Sequence, residues 1–151
     1  MNNTYFITGT DTGIGKTFIT CGLLSFLQSK DLKVVGLKPI SAGVQIFDEQ
    51  KLNEDVFLLK KYSNIELDYR DINYYSFDKA VSPHIVSAQE NCPINFDLIK
   101  DNIKRIHSKA DVVLIEGAGG YEVPIDVERR MSDLITYIDV PLILKTIIDR
   151  K

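Results

Sequence analysis

Short apolar runs alternate along the chain with longer stretches in which apolar residues recur every three or four positions, a pattern that predicts strands alternating with helices. Tyr5, Phe6, Ile7 and Thr8 are aromatic or β-branched and run straight into a Gly-rich turn, as a buried strand would. Over residues 16–29, Phe18, Ile19, Leu23, Leu24, Phe26 and Leu27 fall at helical spacing before a polar close. Residues 33–37 predict a second strand. Strand, helix and strand in that order make a βαβ unit, whose crossover requires parallel strands. Further helices are expected over residues 53–62, from Ser82 and Pro83 to about Asn91, over 95–107 and over 131–137. Proline suits a first helical turn with serine ahead of it as a cap. Residues 64–77, rich in Asn, Asp and Tyr, are expected to be irregular. Residues 111–116 form a nearly continuous apolar run ending in a carboxylate, as a central parallel strand does, and 140–144 predict a last strand.

The fold class that follows is α/β: a three-layer, doubly wound, mainly parallel sheet in one domain over residues 1–151, with four strands recognised and more needed to finish the sheet. A chain of 151 residues can bury about 70% of its unfolded surface. With 44% hydrophobic and 26% charged residues, the composition excludes disordered, collagen-like and coiled-coil classes. No apolar run approaches the roughly 18 residues that span a bilayer, and no basic stretch precedes an apolar one at the start, so a cytoplasmic protein without membrane contact is expected. A net charge of −3 supplies no general field for nucleic acid, and Tyr69, Tyr74 and Tyr75 are not interleaved with Arg or Lys, so no nucleic-acid partner is expected. Cys21 and Cys92 lack metal-ligand spacing and are expected as reduced thiols.

The chemistry concentrates at turns after strands. Gly9-Thr-Asp-Thr-Gly-Ile-Gly-Lys-Thr17 lies between a strand and a helix, the context in which a phosphate loop is credible. Amides of such a loop point at phosphate oxygens, Lys16 adds charge near the transferable phosphate, and the Thr17 hydroxyl can ligate Mg²⁺. The spacing is one residue longer than the standard motif, with Thr10 at the usual first-glycine position. Lys38, before Pro39 at the carboxyl end of the second strand, is a second candidate cation where ligands of open parallel sheets collect. Glu116, ending the apolar strand ahead of Gly117-Ala118-Gly119-Gly120, is a candidate metal ligand or water-positioning group on the same sheet edge. Asp55 is in a first helical turn, where an acid is also a simple dipole partner. His84 either holds its turn or lines a site, and His107 is expected as a favourable charge at a helix end.

Taken together, Phe6 to Thr17, Gly36-Leu-Lys-Pro-Ile40, Ser82 to Glu90 and Val113 to Gly120 resemble the dethiobiotin synthetases, a phosphate-loop NTPase-like family. The resemblance implies ATP-dependent carboxylation of 7,8-diaminopelargonate by CO₂, through a carbamate and a carbamic–phosphoric anhydride, closing to dethiobiotin in biotin synthesis. It implies that Gly13, Ile14, Gly15, Lys16, Thr17 and Phe18 wrap the ATP phosphates. Thr17, Asp55 and Glu116 would hold Mg²⁺, and Glu116, Gly117, Ala118 and Gly119 would lie against the nucleotide. Lys16 and Lys38 become the catalytic pair, Thr12, Lys38, Ser41 and Ala42 face the diamine, and a homodimer is implied. The chain departs from the family in carrying Ala42 where a hydroxyl residue usually precedes the glycine, with Ser41 one position earlier, and Gly13 where an acid is common. About a third of the family's usual length, beyond Leu144, has no counterpart, and the closing residues 145–151 do not resemble it, which predicts weak stability or self-association. Other phosphate-loop amide ligases, a partitioning ATPase, and a homologue that binds nucleotide without turnover are the alternatives.

Overall fold

The computed structural model describes residues 1–47 and 49–146; residues 147–151 of the closing segment lie outside the description. Strand β1 (Thr4–Gly9) leads into helix α1 (Lys16–Gln28), then β2 (Val34–Leu37), β3 (Ile40–Ala42), β4 (Gln45–Phe47) and β5 (Gln50–Leu52). Helices α2 (Glu54–Lys61) and α3 (Tyr69–Ile72) precede β6 (Tyr75–Phe77), followed by α4 (Pro83–Gln89), α5 (Phe96–His107), β7 (Val112–Glu116), α6 (Met131–Ile138) and β8 (Leu142–Lys145). The main sheet is four-stranded in the order β2-β7-β1-β8, and all its pairings are parallel. This is the expected mainly parallel α/β architecture, with one decisive refinement: β1 and β2 are parallel but not adjacent, because β7 lies between them.

Register shows that helices cover both faces. Gly36 pairs with Leu114, which pairs with Tyr5, so these residues share a face. A Cβ on Gly36 would come within 2.9 Å of Leu24 and 2.8 Å of Leu59, which places α1 and α2 against that face. On the opposite face, Thr4 Oγ1 lies 3.1 Å from His107 Nδ1, which places α5 there. The core between the layers includes Phe6, Ile7, Leu24, Val34, Val35, Leu59, Ile103 and Ile115, all buried. Each contributes on the order of 1.5–3 kcal/mol by leaving water. Helix α5 illustrates the local logic: Phe96, Ile99, Ile103 and Ile106 form its buried stripe, and the Asn95 side chain caps it by accepting from the amides of Asp97 and Leu98.

Residues 64–77, expected as irregular, instead hold α3 and β6, and the unassigned stretch after Pro39 holds β3, β4 and β5. Strands of three residues are too short to show a period. Strand β6 exists because it pairs in parallel with β3, with Ile40 opposite Tyr75 and Ala42 opposite Phe77. Both cysteines are free; burial pushes the Cys21 thiol up to about 11, so it stays protonated at neutral pH. No helix among the described residues is long and apolar enough to cross a membrane.

Among the described residues, β8 pairs only with β1 and leaves its other edge open, with Leu142 and Leu144 41% and 51% exposed. An apolar open edge is a template for further pairing. Sedimentation at rising concentration is therefore expected to show self-association, and Leu144→Lys is expected to reduce it; a monomer at every concentration would contradict this.

Candidate active site

The phosphate loop owes its shape to two glycines. Gly13 and Gly15 adopt φ of +73° and +89°, a left-handed region that costs a residue with a Cβ about 1–2 kcal/mol. Gly15 is the N-cap of α1 and offers no side-chain acceptor. The first i→i−4 bond of the helix runs from the Ile19 amide to the Gly15 carbonyl at 3.1 Å, so the amides of Lys16, Thr17 and Phe18 come before the intrahelical ladder. With the helix dipole, they present partial positive charge toward the loop. Lys16 is buried and its ammonium donates to the Asp11 carbonyl at 2.9 Å, folded over the loop. Burial, and then repulsion from Lys38, hold its pKa below the ordinary 10.5. Phe18 is 82% exposed, so its backbone and not its ring belongs to the loop. The turn after Glu116 is fastened behind: Tyr121 N–H donates to the Gly9 carbonyl at 2.7 Å, and a Cβ on Gly120 would lie 2.9 Å from the Thr10 carbonyl oxygen.

Five polar side chains from four elements or their ends meet beside the loop. Lys38, just past β2, places its ammonium 2.7 Å from Glu116 Oε1 and 2.8 Å from Asp55 Oδ2. Thr17 Oγ1, in the first turn of α1, lies 2.7 Å from Asp55 Oδ1 and 2.9 Å from Glu116 Oε1, its single proton shared between them. Thr20 Oγ1, one turn further on, is 3.0 Å from Glu116 Oε2. Glu116 is fully buried at the end of β7. Burial opposes the Lys38 charge, but Glu116 and then Asp55 outweigh it and raise its pKa above 10.5. Burial likewise opposes the Asp55 charge, yet the Lys38 ammonium and the Thr17 hydroxyl hold its carboxyl below 3.8.

A carboxyl with a folded pKa below its unfolded one stabilises the fold above the unfolded value and loses that contribution as pH falls through the folded value. Urea midpoints are therefore expected to lose the Asp55 contribution only below about pH 3.8, and Asp55→Asn to lower the neutral midpoint while flattening the acid limb. An acid limb of identical slope in both proteins would show that Asp55 is not coupled to Lys38.

Two cavities among the described residues are lined by both Lys38 and Asp55. One, of ≈ 330 Å³, is bounded by Thr12, Gly13, Gly15, Lys16 and Thr17 and by Lys38, Asp55, Glu116 and Gly119. The other, of ≈ 390 Å³, shares Thr12, Lys38, Asp55 and Gly119 and has an apolar wall of Ala42, Ala80, Val81, Pro83, Ala118 and Val123. Lys38 and Asp55 thus stand where the two meet. Ile14 turns its side chain toward Gly9, and Gly117 is buried beneath the turn. Ser41 is the predicted substrate contact that lines neither cavity. It is fully buried and its hydroxyl donates to Asn73 Oδ1 at 2.8 Å, so the expected hydroxyl contact with a substrate gives way to a structural one, and Ala42 forms the wall. His84 Nδ1 lies 2.9 Å from Ser82 Oγ; the histidine holds the turn while Ser82 and Pro83 line the cavity.

Three residues were not singled out from sequence. Asn53 caps α2 by accepting from the Asp55 amide and donates to the carbonyls of Ala42 and Gly43, so it ties Asp55 to the cavity wall. Its place directly before a helical stretch was a readable cap signal. Buried Asn73 donates to the carbonyls of Lys38 and Tyr75, and the Lys38 amide donates to Ile72, pinning the lysine's backbone. Nothing local marked Asn73. Thr20 could have been found as the residue one helical turn after Thr17.

The site's oxygens suit a hard divalent cation: two carboxylates and a hydroxyl are the donor type that Mg²⁺ takes together with phosphates and water. Among the described residues no cluster of three or more His, Cys, Asp or Glu is placed to hold a metal. A protein-family model described as an AAA domain matches residues 3–148. The ATP-dependent dethiobiotin synthetase BioD of Tolumonas auensis is 39% identical over 146 residues, covering 95% of this chain and 64% of that protein. BioD 1 of Escherichia coli strain K12 is 38% identical over 144 residues, and BioD of Wigglesworthia glossinidia brevipalpis 41% over 145, with the same coverage on both sides. The chain therefore spans about 64% of the length of these relatives. Among solved structures, the signal recognition particle receptor FtsY of Elizabethkingia anophelis superposes with a TM-score of 0.49 at 18% identity, over 95% of this chain and 40% of that one.

Proposed function

Because the chain belongs to the AAA-domain family matched over residues 3–148, we propose that its loop binds ATP and that it acts in the ATP-dependent carboxylation and ring closure of 7,8-diaminopelargonate to dethiobiotin. The observation that carries this reading is the convergence of Lys38, Asp55, Glu116 and Thr17 where the loop's cavity meets the apolar-walled one. The names of the relatives support it. In this reading the substrates are the diamine, CO₂ and ATP, with Mg²⁺ as cofactor, in a cytoplasmic homodimer with no nucleic-acid or membrane partner.

The residues suit the chemistry step by step. One amine adds to CO₂ and loses a proton, giving a carbamate. A carbamate oxygen attacks the γ-phosphorus of ATP, ADP leaves, and a carbamic–phosphoric anhydride results. The second amine attacks the carbonyl carbon and gives up a proton, phosphate leaves with the bonding electrons, and the ureido ring closes. The difficult encounter is carbamate with triphosphate, anion with anion, so catalysis is chiefly positioning and charge neutralisation. Amides of residues 13–18 cradle the phosphates, and Lys16 moves from the Asp11 carbonyl onto the β- and γ-phosphates. Lys38 neutralises the carbamate and the transferring phosphoryl group. Thr17, Asp55 and Glu116 would hold Mg²⁺, which supplies further neutralisation of phosphate charge. Gly117, Ala118 and Gly119 lie against the nucleotide. Thr12 and Ala42 face the diamine, whose aliphatic chain fits the apolar wall. Ser41 contributes through Asn73 rather than by contact.

Mass spectrometry for dethiobiotin, with parallel phosphate release, tests the proposal. Product is expected only when diaminopelargonate, bicarbonate and MgATP are all present. A folded sample that binds MgATP but forms no product would refute ligase turnover by this chain.

A further inference from the structure

Every carboxylate oxygen of the Asp55–Glu116 pair already has a partner. Thr17 takes Asp55 Oδ1, Lys38 takes Asp55 Oδ2, both share Glu116 Oε1, and Thr20 takes Glu116 Oε2. The Lys38 ammonium thus bridges the two acids through Asp55 Oδ2 and Glu116 Oε1. A Mg²⁺ ion drawn by these donors sits about 2.0–2.1 Å from its oxygens. The ammonium stands 2.7 Å and 2.8 Å from oxygens of the same two acids. Both cations would crowd together between the acids, where Glu116 is fully buried, the Lys38 side chain is 6% exposed and Asp55, at 35%, is the acid that reaches solvent. Charge gives the same result: two carboxylates balance one divalent cation, and with Lys38 retained the cluster would carry a buried excess positive charge.

The lysine also has somewhere to go. Its backbone is pinned by Ile72 and Asn73, but its four-carbon stem is flexible, and the side chain borders both cavities. We propose that Lys38 is the resident counterion of Asp55 and Glu116, and that a divalent cation entering between them displaces its ammonium into the adjoining apolar-walled cavity. Metal loading and delivery of the catalytic cation are then one event. The destination of the lysine rests on the function proposed above; the exchange itself is a property of these side chains.

The exchange is tested without turnover or nucleotide. Mn²⁺ is titrated into the protein and its free fraction read by electron paramagnetic resonance. Lys38→Met keeps the stem and removes the competitor, and is expected to bind Mn²⁺ on the order of tenfold to a hundredfold more tightly, while Lys38→Arg stays as weak as the parent. Adding Asp55→Asn to Lys38→Met should abolish the gain. Equal or weaker binding by a folded Lys38→Met, or a gain that survives Asp55→Asn, would overturn the proposal. Should Lys38→Met not fold, the Lys38 side-chain resonance of the intact protein decides: it must shift on Mg²⁺ addition, and an unmoved signal at metal saturation overturns the exchange. Loss of dethiobiotin synthesis with exchange intact would instead refute only the proposed function.

Discussion

Lys16→Ala is expected to lower phosphoryl transfer from ATP about 10³-fold or more, with weaker nucleotide binding, while leaving the fold intact. The argument rests on where its ammonium sits. Lys16 is the first residue of α1, and its side chain arches over the loop to the Asp11 carbonyl, bordering the same cavity as Gly13, Gly15 and Thr17. That contact is to a neutral carbonyl, a weaker partner for an ammonium than a phosphate oxygen, so the lysine transfers readily to a triphosphate. Removing it leaves the amides of residues 16–18 in place, so binding should fall less than turnover. Lys38→Ala should lose turnover comparably and spare ATP affinity more, because Lys38 faces the carboxylates and the second cavity. Phosphate-release rates and MgATP titrations on both variants check this. Full activity in Lys16→Ala would remove the lysine from the mechanism.

Glu116→Ala is expected to cost about 3–5 kcal/mol of stability, a large share of the roughly 5–15 kcal/mol that a domain possesses. The carboxylate is fully buried, and its loss strips Lys38 of its 2.7 Å partner while Thr17 and Thr20 each lose an acceptor. The ammonium, itself 6% exposed, is left with Asp55 and a long 3.5 Å contact to the Gly117 carbonyl. Glu116→Gln keeps the shape and an acceptor oxygen but not the charge, so its cost should be smaller, about 1–3 kcal/mol. Urea denaturation of the three proteins at neutral pH gives the comparison. A Glu116→Ala midpoint equal to the parent's would mean that the buried pair contributes nothing to the fold.

Much of this protein was legible locally. Strand β1, helix α1 and the loop between them follow from an apolar run, a Gly-rich turn and a 3.6-residue period that lie within one stretch of chain. Helix α5, with its Asn95 cap and buried stripe, is legible for the same reason. Strand β7, apolar from end to end and closed by Glu116, announces a strand buried on both faces. Periodicity and turn chemistry act between neighbours in sequence, so sequence determined these elements and the residue types at their ends.

The site itself was decided elsewhere. Thr17 and Asp55 are 38 positions apart, Lys38 and Glu116 78, and Thr17 and Glu116 99. What brings them together is the sheet order: β7 inserts between β1 and β2 and sets Glu116 between the helix that carries Thr17 and the strand end that carries Lys38. A βαβ pattern read along the chain does not state which strand will fill that gap. The same holds for Ser41, turned inward by Asn73, and for three-residue β6, which exists only through pairing with β3. Sequence by itself determined which chemical groups this protein possesses and on what kind of element each stands. Only the tertiary structure decided which of them meet, because strand pairing and burial are energies of contact between distant segments and leave no period in either one.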